Sequence, residues 1–284
     1  MQLPIGTVQK AIVDRTIDTG YVVVFESTEI LMHHNDAIEE LDVSDEIDIF
    51  LYNDKNNQIV ATTKIPEVTM DTYEWVDVIE VIPRLGVFVN IGTVKDMLVS
   101  IDNLPLFDDV WPIVGDKLYT TLDLDQKGRL LALPATEGIF MSIREDASHL
   151  DRNDIVEGYI YHTDREGSAF FTSEHFRAFI HHTEREDEPR LGEHVRGRII
   201  DVKNDGTINV SLLPLKEERM DHDSEVILDI LNDFDGTMPF SDKSDAQEIR
   251  DRFDMSKSAF KRALGRLMKQ GKVEQKDGQT IIKQ

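Results

Sequence analysis

Apolar and polar residues alternate along most of this chain, and near its end the apolar spacing changes to three and four residues. Alternation is the pattern of a half-buried β-strand, whereas the wider spacing indicates an amphipathic helix. In the first block, from Gly6 to Lys64, alternation predicts strands at residues 7–13, 21–25, 30–33, 47–51 and 59–62. Five short strands in about 60 residues favour a small barrel, because a closed sheet has no exposed edge.

An apolar strand, a polar turn, a glycine and a second apolar strand follow one another three times. Residues 81–91 read VIPRLGVFVNI, residues 160–171 read IYHTDREGSAFF, and the most degenerate copy, residues 12–24, reads IVDRTIDTGYVVV. A second apolar block, a polar turn and a closing strand complete each copy, and Pro66, Pro134 and Pro214 follow the closing strands. Repetition at this scale predicts three small modules in tandem. The linker at residues 134–153 leaves room for one short helix.

The wider spacing begins after His222 and predicts three helices, the last of which opens at Ser256 and ends before Gly271. Residues 272–274 and 280–282 then flank Lys276-Asp277-Gly278, a hairpin turn signal. Three helices and a hairpin predict a winged helix-turn-helix. The predicted fold is therefore three tandem five-stranded barrels of the OB type followed by a winged helix. Its domains are residues 1–66, 67–140, 141–218 and 219–284.

Composition favours a soluble cytoplasmic protein with no membrane segment. The chain has no cysteine, which excludes disulfides and thiolate zinc sites and suits a reducing compartment. Its first residues lack the pattern of a secretory signal, and no apolar run approaches ~20 residues.

Charge is distributed unevenly along the chain. The formal net charge is −24, but residues 256–284 contain eight bases and two acids, so this end carries +6 and the preceding residues carry −30. Such asymmetry often marks an end that binds nucleic acid.

The three blocks resemble the S-one domain, the five-stranded RNA-binding repeat of the bacterial ribosomal protein of that name. Three such modules followed by a winged helix resemble the conserved virulence factor B proteins of Gram-positive bacteria. The resemblance implies a non-catalytic RNA-binding regulator of gene expression. The RNA face of S-one domains typically carries an aromatic before the strand glycine, an aromatic two residues after it and a histidine on the next strand. This sequence matches those places at Phe88 in the second block, His33 in the first and His181 in the third.

Outward aromatic side chains on a barrel are candidate stacking surfaces, each contributing ~1–3 kcal/mol per base. Phe88 is one candidate. If Ala169 in the third block faces outward, alternation turns Phe171 outward as a second candidate and Phe170 inward.

Basic side chains in the third block and the winged helix are candidate phosphate ligands. Arg196 and Arg198 lie two residues apart on one predicted strand and share a face, although pairing with the carboxylates of residues 184–193 is an open alternative. The candidates are Arg165, Arg177, Arg196, Arg198, Lys257, Lys261, Arg262, Arg266, Lys272 and Lys276.

Catalytic and metal sites are not predicted. The chain lacks the phosphate-binding, zinc-protease and nucleophile-elbow motifs. The His33-His34 and His181-His182 pairs cannot readily chelate one ion, because adjacent strand residues face opposite ways. We therefore expect no enzyme activity and no cofactor. The leading hypothesis is binding of single-stranded RNA, with mRNA as the partner and control of expression after transcription. The alternatives are a DNA-binding transcriptional regulator that uses the winged helix, and an adaptor on the ribosome or an RNA-decay complex.

Overall fold

The first block forms a closed five-stranded barrel. The computed structural model describes residues 3–283, with side chains at residues 3–215 and 222–283. The barrel has the order β1-β2-β3-β5-β4, and one cluster that includes Val13, Val23, Met32 and Ile49 fills its core. Its strands are β1 (Val8–Ile17), β2 (Gly20–Phe25), β3 (Thr28–His33), β4 (Glu46–Asn53) and β5 (Ile59–Thr62). The five predicted strands are confirmed, although β1 and β4 extend beyond the alternating stretch.

The second module has the same strand order without the closing seam. Its strands are β6 (Glu74–Ile82), β7 (Gly86–Asn90), β8 (Met97–Ser100), β9 (Lys117–Leu124) and β10 (Leu130–Pro134). They form a sheet in the order β10-β9-β6-β7-β8. In the first barrel the parallel pair that closes the ring, β3 with β5, has one registered partner pair, Leu31 and Val60. This seam is short and parallel, and parallel pairing is slightly less stable per residue. Among the described residues of the second module, no hydrogen-bonded ladder joins β8 to β10. The first and third modules are therefore closed barrels, as predicted, and the second is an open five-stranded sheet.

The third block forms a second closed barrel. Its order, β11-β12-β13-β15-β14, repeats that of the first, and two parallel partner pairs close it. Its strands are β11 (Ile155–Thr163), β12 (Gly167–Thr172), β13 (Arg177–His181), β14 (His194–Val202) and β15 (Ile208–Ser211). The linker before it contains the short helix α1 (Glu137–Ile143).

The glycine of the repeated motif has one steric role in all three copies. A Cβ added at Gly20 would lie 2.1 Å from a backbone oxygen of the next strand, and the distances at Gly86 and Gly167 are 2.0 and 2.1 Å. Any side chain there would push two neighbouring strands apart. Each copy of the repeat therefore has a glycine at the point where two neighbouring strands approach closely.

The three modules form one compact unit that extends through Leu212. Phe50 and Tyr52 face outward from the first barrel and are buried in a cluster with Val76 and Leu130 of the second module. Leu191 of the third block joins the same cluster. A backbone hydrogen bond of 3.0 Å, from the Lys117 NH to the Gly192 carbonyl, fastens the second module to the third.

The second compact unit, from Leu213 onward, has the predicted winged-helix arrangement. Its core includes Ile227, Phe253, Phe260 and Leu264. Its elements are α2 (Lys216–Asp233), β16 (Thr237–Met238), α3 (Ala246–Phe253), α4 (Lys257–Lys269), β17 (Val273–Lys276) and β18 (Gln279–Ile282). The three helices and the hairpin are confirmed. The two-residue strand β16, which pairs with β18, was not predicted, because two residues carry no alternation.

Candidate nucleic-acid interface

The outer face of the second module carries Phe88. On β7 the fully buried Val87 and Val89 alternate with Phe88, which is half-buried. Its cross-strand partners are Glu80 on β6 and Leu98 on β8. Phe88 therefore points out of the module but is only partly exposed. The ring lies beside an apolar side chain and an acidic one, so this face offers stacking without a phosphate ligand at those two positions.

Phe171 points out of the third barrel but is not exposed. Phe170 belongs to the barrel core, as predicted, whereas Phe171 belongs to a separate cluster with Ala169, Tyr161 and Phe140. The Phe140 ring, from α1, has its centroid 5.0 Å from that of Phe171, which is only 2% exposed. The prediction of an exposed stacking surface at Phe171 is therefore wrong. Alternation gave the correct direction, but the linker helix covers the surface to which the ring points.

The Arg177 guanidinium is held by Glu137 of α1 and by the buried hydroxyl of Tyr161. Its Nη2 lies 3.0 Å from Oε1 of Glu137, and its Nε donates to the Tyr161 hydroxyl at 3.2 Å. The Tyr161 hydroxyl in turn donates to Oε2 of Glu137 at 2.5 Å. Burial, and then this hydrogen bond, raise the pKa of Tyr161 above its ordinary range. A guanidinium held in this way positions α1 and is not presented to solvent as a phosphate ligand.

Two further arginines of the third block are also paired with carboxylates. Arg185 lies 3.2 Å from Glu188 and is almost fully buried. Arg190 lies 3.3 Å from Asp116 of the second module and 3.2 Å from Glu193. At Arg185 and Arg190, ion pairing with carboxylates is therefore observed, which was the alternative to phosphate binding. These arginines stabilise the fold.

Arg196 and Arg198 differ from these three. They project from the same side of β14, Arg196 exposed and Arg198 half-buried, and Arg198 donates to Oδ1 of Asn153 at 3.3 Å. Arg165 is exposed in the turn between β11 and β12. None of the three forms an ion pair with a carboxylate in the part of the chain that the structure describes. The charges of these guanidinium groups are therefore not neutralised by an ion pair with a described residue, although Glu157 lies opposite Arg196 on β11.

The two candidate histidines occupy equivalent strand ends but differ in surroundings. His33 ends β3, is half-buried and pairs with Gly20 across the strands. His181 ends β13, is exposed, and its Nδ1 accepts a hydrogen bond from the Thr183 backbone NH at 3.3 Å. His181 thus caps the short 3-10 helix His182–Glu184, and its ring lies against that of His182, with the two centroids 4.3 Å apart. Over the described residues, no group of three or more His, Asp or Glu could hold a metal ion.

Helix α4 of the winged unit has an apolar face and a basic face. Phe260, Ala263, Leu264 and Leu267 are buried in the core, and the Ser256 side chain caps the first turn. Exposed basic residues lie on the other side and continue into the hairpin. They are Lys261, Arg262, Lys269, Lys272 and Lys276, with Lys257 and Arg266 half-buried. Lys261 lies 3.9 Å from Asp242, a distance at which an exposed ion pair contributes little.

The sequence analysis did not single out Phe107, an exposed aromatic side chain. Among the Phe, Tyr and Trp residues of the described chain, it is the one in the exposed class, with 65% of its surface open. It lies in the loop between β8 and β9, between Pro105 and Asp108. The available signal was an aromatic in a proline-containing loop outside any alternating stretch, since binding residues concentrate on such loops.

The first barrel offers little free positive charge. From residue 6 to 64 it contains four bases and twelve acids. Lys10 lies 3.1 Å from Asp48, and Arg15 lies 2.7 Å from Glu29. Both cations are thereby satisfied by neighbouring carboxylates on the barrel surface.

Comparison with known proteins agrees with this architecture. Family models match residues 5–64 as an S1 domain, residues 73–133 as the CvfB first S1-like domain, residues 140–214 as the second domain of virulence regulatory factor CvfB, and residues 225–281 as a CvfB-like winged helix domain. Conserved virulence factor B of Staphylococcus saprophyticus is 36% identical over 250 residues, which cover 87% of this chain and 82% of that protein. The chain belongs to the conserved virulence factor B family. The predicted family is confirmed.

Two other relatives extend the similarity over nearly the whole length. The uncharacterized protein YitL of Bacillus subtilis is 45% identical over 271 residues, 95% of this chain and 91% of that one. A crystal structure of a multidomain protein with nucleic acid binding domains from Streptococcus pneumoniae is 32% identical, with a TM-score of 0.68 over 98% of both chains. The domains matched in this chain, S-one-type domains and a winged helix, are the architecture of a nucleic-acid-binding protein, and the family models that match indicate no catalytic family. Within the described residues, no helix is long and apolar enough to cross a membrane.

Proposed function

We propose that this conserved virulence factor B family member binds single-stranded RNA, with mRNA as its partner, and regulates gene expression after transcription in the cytoplasm without catalysis. The observation that carries the proposal is the Arg196 and Arg198 pair on β14, two neighbouring guanidinium groups on one face without a carboxylate partner among the described residues. Guanidinium groups bind phosphate through charge-assisted hydrogen bonds and also stack on bases. A basic groove together with aromatic side chains is the arrangement by which OB-type barrels hold single strands.

Within this proposal the parts of the chain have different roles. Arg196 and Arg198 contact phosphates, and the exposed ring of Phe107 and the half-buried ring of Phe88 stack on bases. The first barrel chiefly supports the other modules, because its surface is acidic and its Lys10 and Arg15 are already paired.

The winged helix supports a second candidate function. Lys261 and Arg262 are exposed on α4, opposite its apolar face, which is where a recognition helix presents side chains to the major groove of DNA. A-form RNA has no major groove that side chains can read, so in the RNA proposal these cations contact backbone phosphate. The two functions therefore differ in the ligand that α4 meets.

A competition experiment distinguishes the RNA-binding function from the DNA-binding function. The full-length protein is mixed with labelled single-stranded RNA and challenged with unlabelled single-stranded RNA, duplex RNA, single-stranded DNA and duplex DNA at about 0.15 M salt. We expect single-stranded RNA to compete best. In a separate salt series, the log of the RNA affinity should fall against the log of the salt concentration with a slope of about −0.7 per phosphate neutralised. Stronger competition by duplex DNA would establish the DNA-binding alternative. Binding to none of the four would instead favour an adaptor role on the ribosome or an RNA-decay complex.

A further inference from the structure

A cleft of about 400 Å³ opens between the second module and the third barrel. Its apolar walls come from three separate parts of the chain: the loop between β8 and β9, the end of β10, and the segment before β14. The side chains on these walls include those of Leu104, Pro105, Leu133, Pro134 and Leu191. The cleft exists only where the two modules meet, so no single module contains it.

The polar groups of the cleft are varied and, among the described residues, include no lysine, arginine or carboxylate. Asn103, Thr136, His162 and Thr163 line it together with the apolar walls, and they supply an amide, two hydroxyls and an imidazole. Tyr161 also lines it, and the Phe140 ring stacks on Tyr161 at a centroid distance of 3.9 Å. The tyrosine is thereby fixed, and a ligand would meet a preformed surface.

Charges around the cleft disfavour an anionic ligand. His162 lies 3.2 Å from the Asp164 carboxylate, and the Thr163 hydroxyl donates to Glu188 at 2.9 Å. Glu137 accepts from the Tyr161 hydroxyl. No lysine or arginine of the described chain lines the cleft, and the nearby Arg177 and Arg185 are already paired with Glu137 and Glu188. A phosphate would therefore find no free guanidinium there, whereas a flat neutral group with donors and acceptors on its edge meets apolar walls and matching polar partners.

We propose that this cleft binds one unpaired nucleobase, with its faces against the apolar walls and its edge toward Asn103, Thr136 and His162. This inference deepens the proposed function, on which it rests, because it gives the bound strand a base-recognition site and leaves the phosphates outside. Base discrimination then arises at the junction of two modules, from the polar side chains of the rim.

A tryptophan beside the cleft provides a direct readout. The Trp111 indole NH donates to the carbonyl of Pro105, a wall residue, at 2.7 Å. The chain has two tryptophans, so Trp75→Phe leaves Trp111 as the sole emitter. The full-length protein is titrated with adenosine, cytidine and uridine, which carry no phosphate, and the emission of Trp111 is recorded. Methyl chemical shifts of Leu133 and Leu191 in the unsubstituted protein give an independent second measurement.

A matched pair of variants locates the response. Thr136 is exposed and its side chain makes no capping hydrogen bond at α1, so Thr136→Phe should fold and fill the rim. Thr16→Phe adds the same ring at an exposed position of β1. We expect at least one nucleoside to shift both leucine methyls, with affinity at least tenfold lower in Thr136→Phe and within twofold of the parent in Thr16→Phe.

Other outcomes overturn the inference. If no nucleoside moves the methyls, or if Thr136→Phe leaves the response unchanged, the cleft is not a base site. RNA binding without a nucleoside response rejects this inference alone. A nucleoside response in a protein that binds no RNA rejects the proposed function and leaves the base site standing.

Discussion

The rings of Phe140 and Tyr161 lie nearly parallel, with centroids 3.9 Å apart and an interplanar angle of 22°. The first belongs to the linker helix α1 and the second to β11 of the third barrel. The rings of Trp75 and Tyr119 of the second module also lie beside the Phe140 ring, with centroid distances of 6.2 and 5.4 Å. One side chain of a seven-residue helix thus occupies the centre of an aromatic cluster that joins two modules.

Removal of that ring should destabilise the three-module unit. Phe140 is fully buried, so Phe140→Ala leaves a cavity, and such changes cost about 3–5 kcal/mol. Urea unfolding of the full chain, followed by far-UV circular dichroism, measures the loss. Met141→Ala, at the exposed neighbour on the same helix, should change the free energy of unfolding by less than about 0.5 kcal/mol. Equal effects from the two variants would show that the stack is dispensable.

Stability should also depend on pH through Asp36. This carboxyl is 2% exposed and accepts a hydrogen bond of 2.7 Å from Tyr52. Burial raises its pKa above the ordinary 3.8, despite the opposing effect of that bond. The contribution to stability is fully present below pH 3.8 and is lost as the pH rises through the raised pKa of the folded state.

Asp36→Asn removes this loss and preserves an oxygen acceptor for Tyr52. The free energy of unfolding of the variant should therefore increase relative to that of the parent as the pH rises above 3.8. Unfolding free energies across that range provide the measurement, with Asp18→Asn at an exposed position as the control. Parallel pH profiles for Asp36→Asn and the parent would contradict the prediction.

Loss of the β14 arginines should weaken RNA binding and its dependence on salt. If Arg196 and Arg198 each neutralise one phosphate, the double alanine variant should flatten the log–log slope by about 1.4. Filter binding over a salt series provides the measurement. Arg15→Ala removes a cation that is already paired with Glu29 and should leave the slope unchanged. A slope unaffected by the double substitution would place the phosphates elsewhere.

Phe107→Ala tests stacking without disturbing the fold. An exposed ring contributes little to packing, so the unfolding free energy should remain within about 0.5 kcal/mol of the parent. Loss of one stacked base should lower RNA affinity by roughly 1–3 kcal/mol. Leu106→Ala, at the still more exposed neighbour, is the comparison and should bind RNA nearly normally. If Leu106→Ala lost as much RNA affinity as Phe107→Ala, the loop would act through its conformation instead of through the aromatic ring.

Periodicity predicted the modules well because alternation and helical spacing report burial directly. The five strands of the first barrel and the basic helix α4 lie where the pattern placed them. The exposure of Phe171 could not be predicted in this way. Alternation distinguishes the inside of a barrel from its outside, but it gives no information about what covers the outside, here Phe140.

For the charged residues too, the sequence predicted one part of the site and only the structure showed the other. The sequence showed arginines and carboxylates close together in the third block and left their pairing open. Arg190 reaches Asp116, which is 74 positions away in the chain, so its pairing depends on how two modules meet. Arg196 and Arg198 share a face, as their spacing requires, but their lack of a carboxylate partner among the described residues is a property of the folded chain.

The cluster that contains Leu191 together with residues of the first two modules limits how this protein can be dissected. A fragment that ends near Pro134 would lack Leu191 and Phe140, and it would expose the parts of Val76, Trp75 and Tyr119 that those side chains cover. Aggregation or weak RNA binding by such a fragment would reflect this newly exposed apolar surface as much as the missing module. The contribution of each module is therefore better assigned by surface substitutions in the intact chain than by truncation.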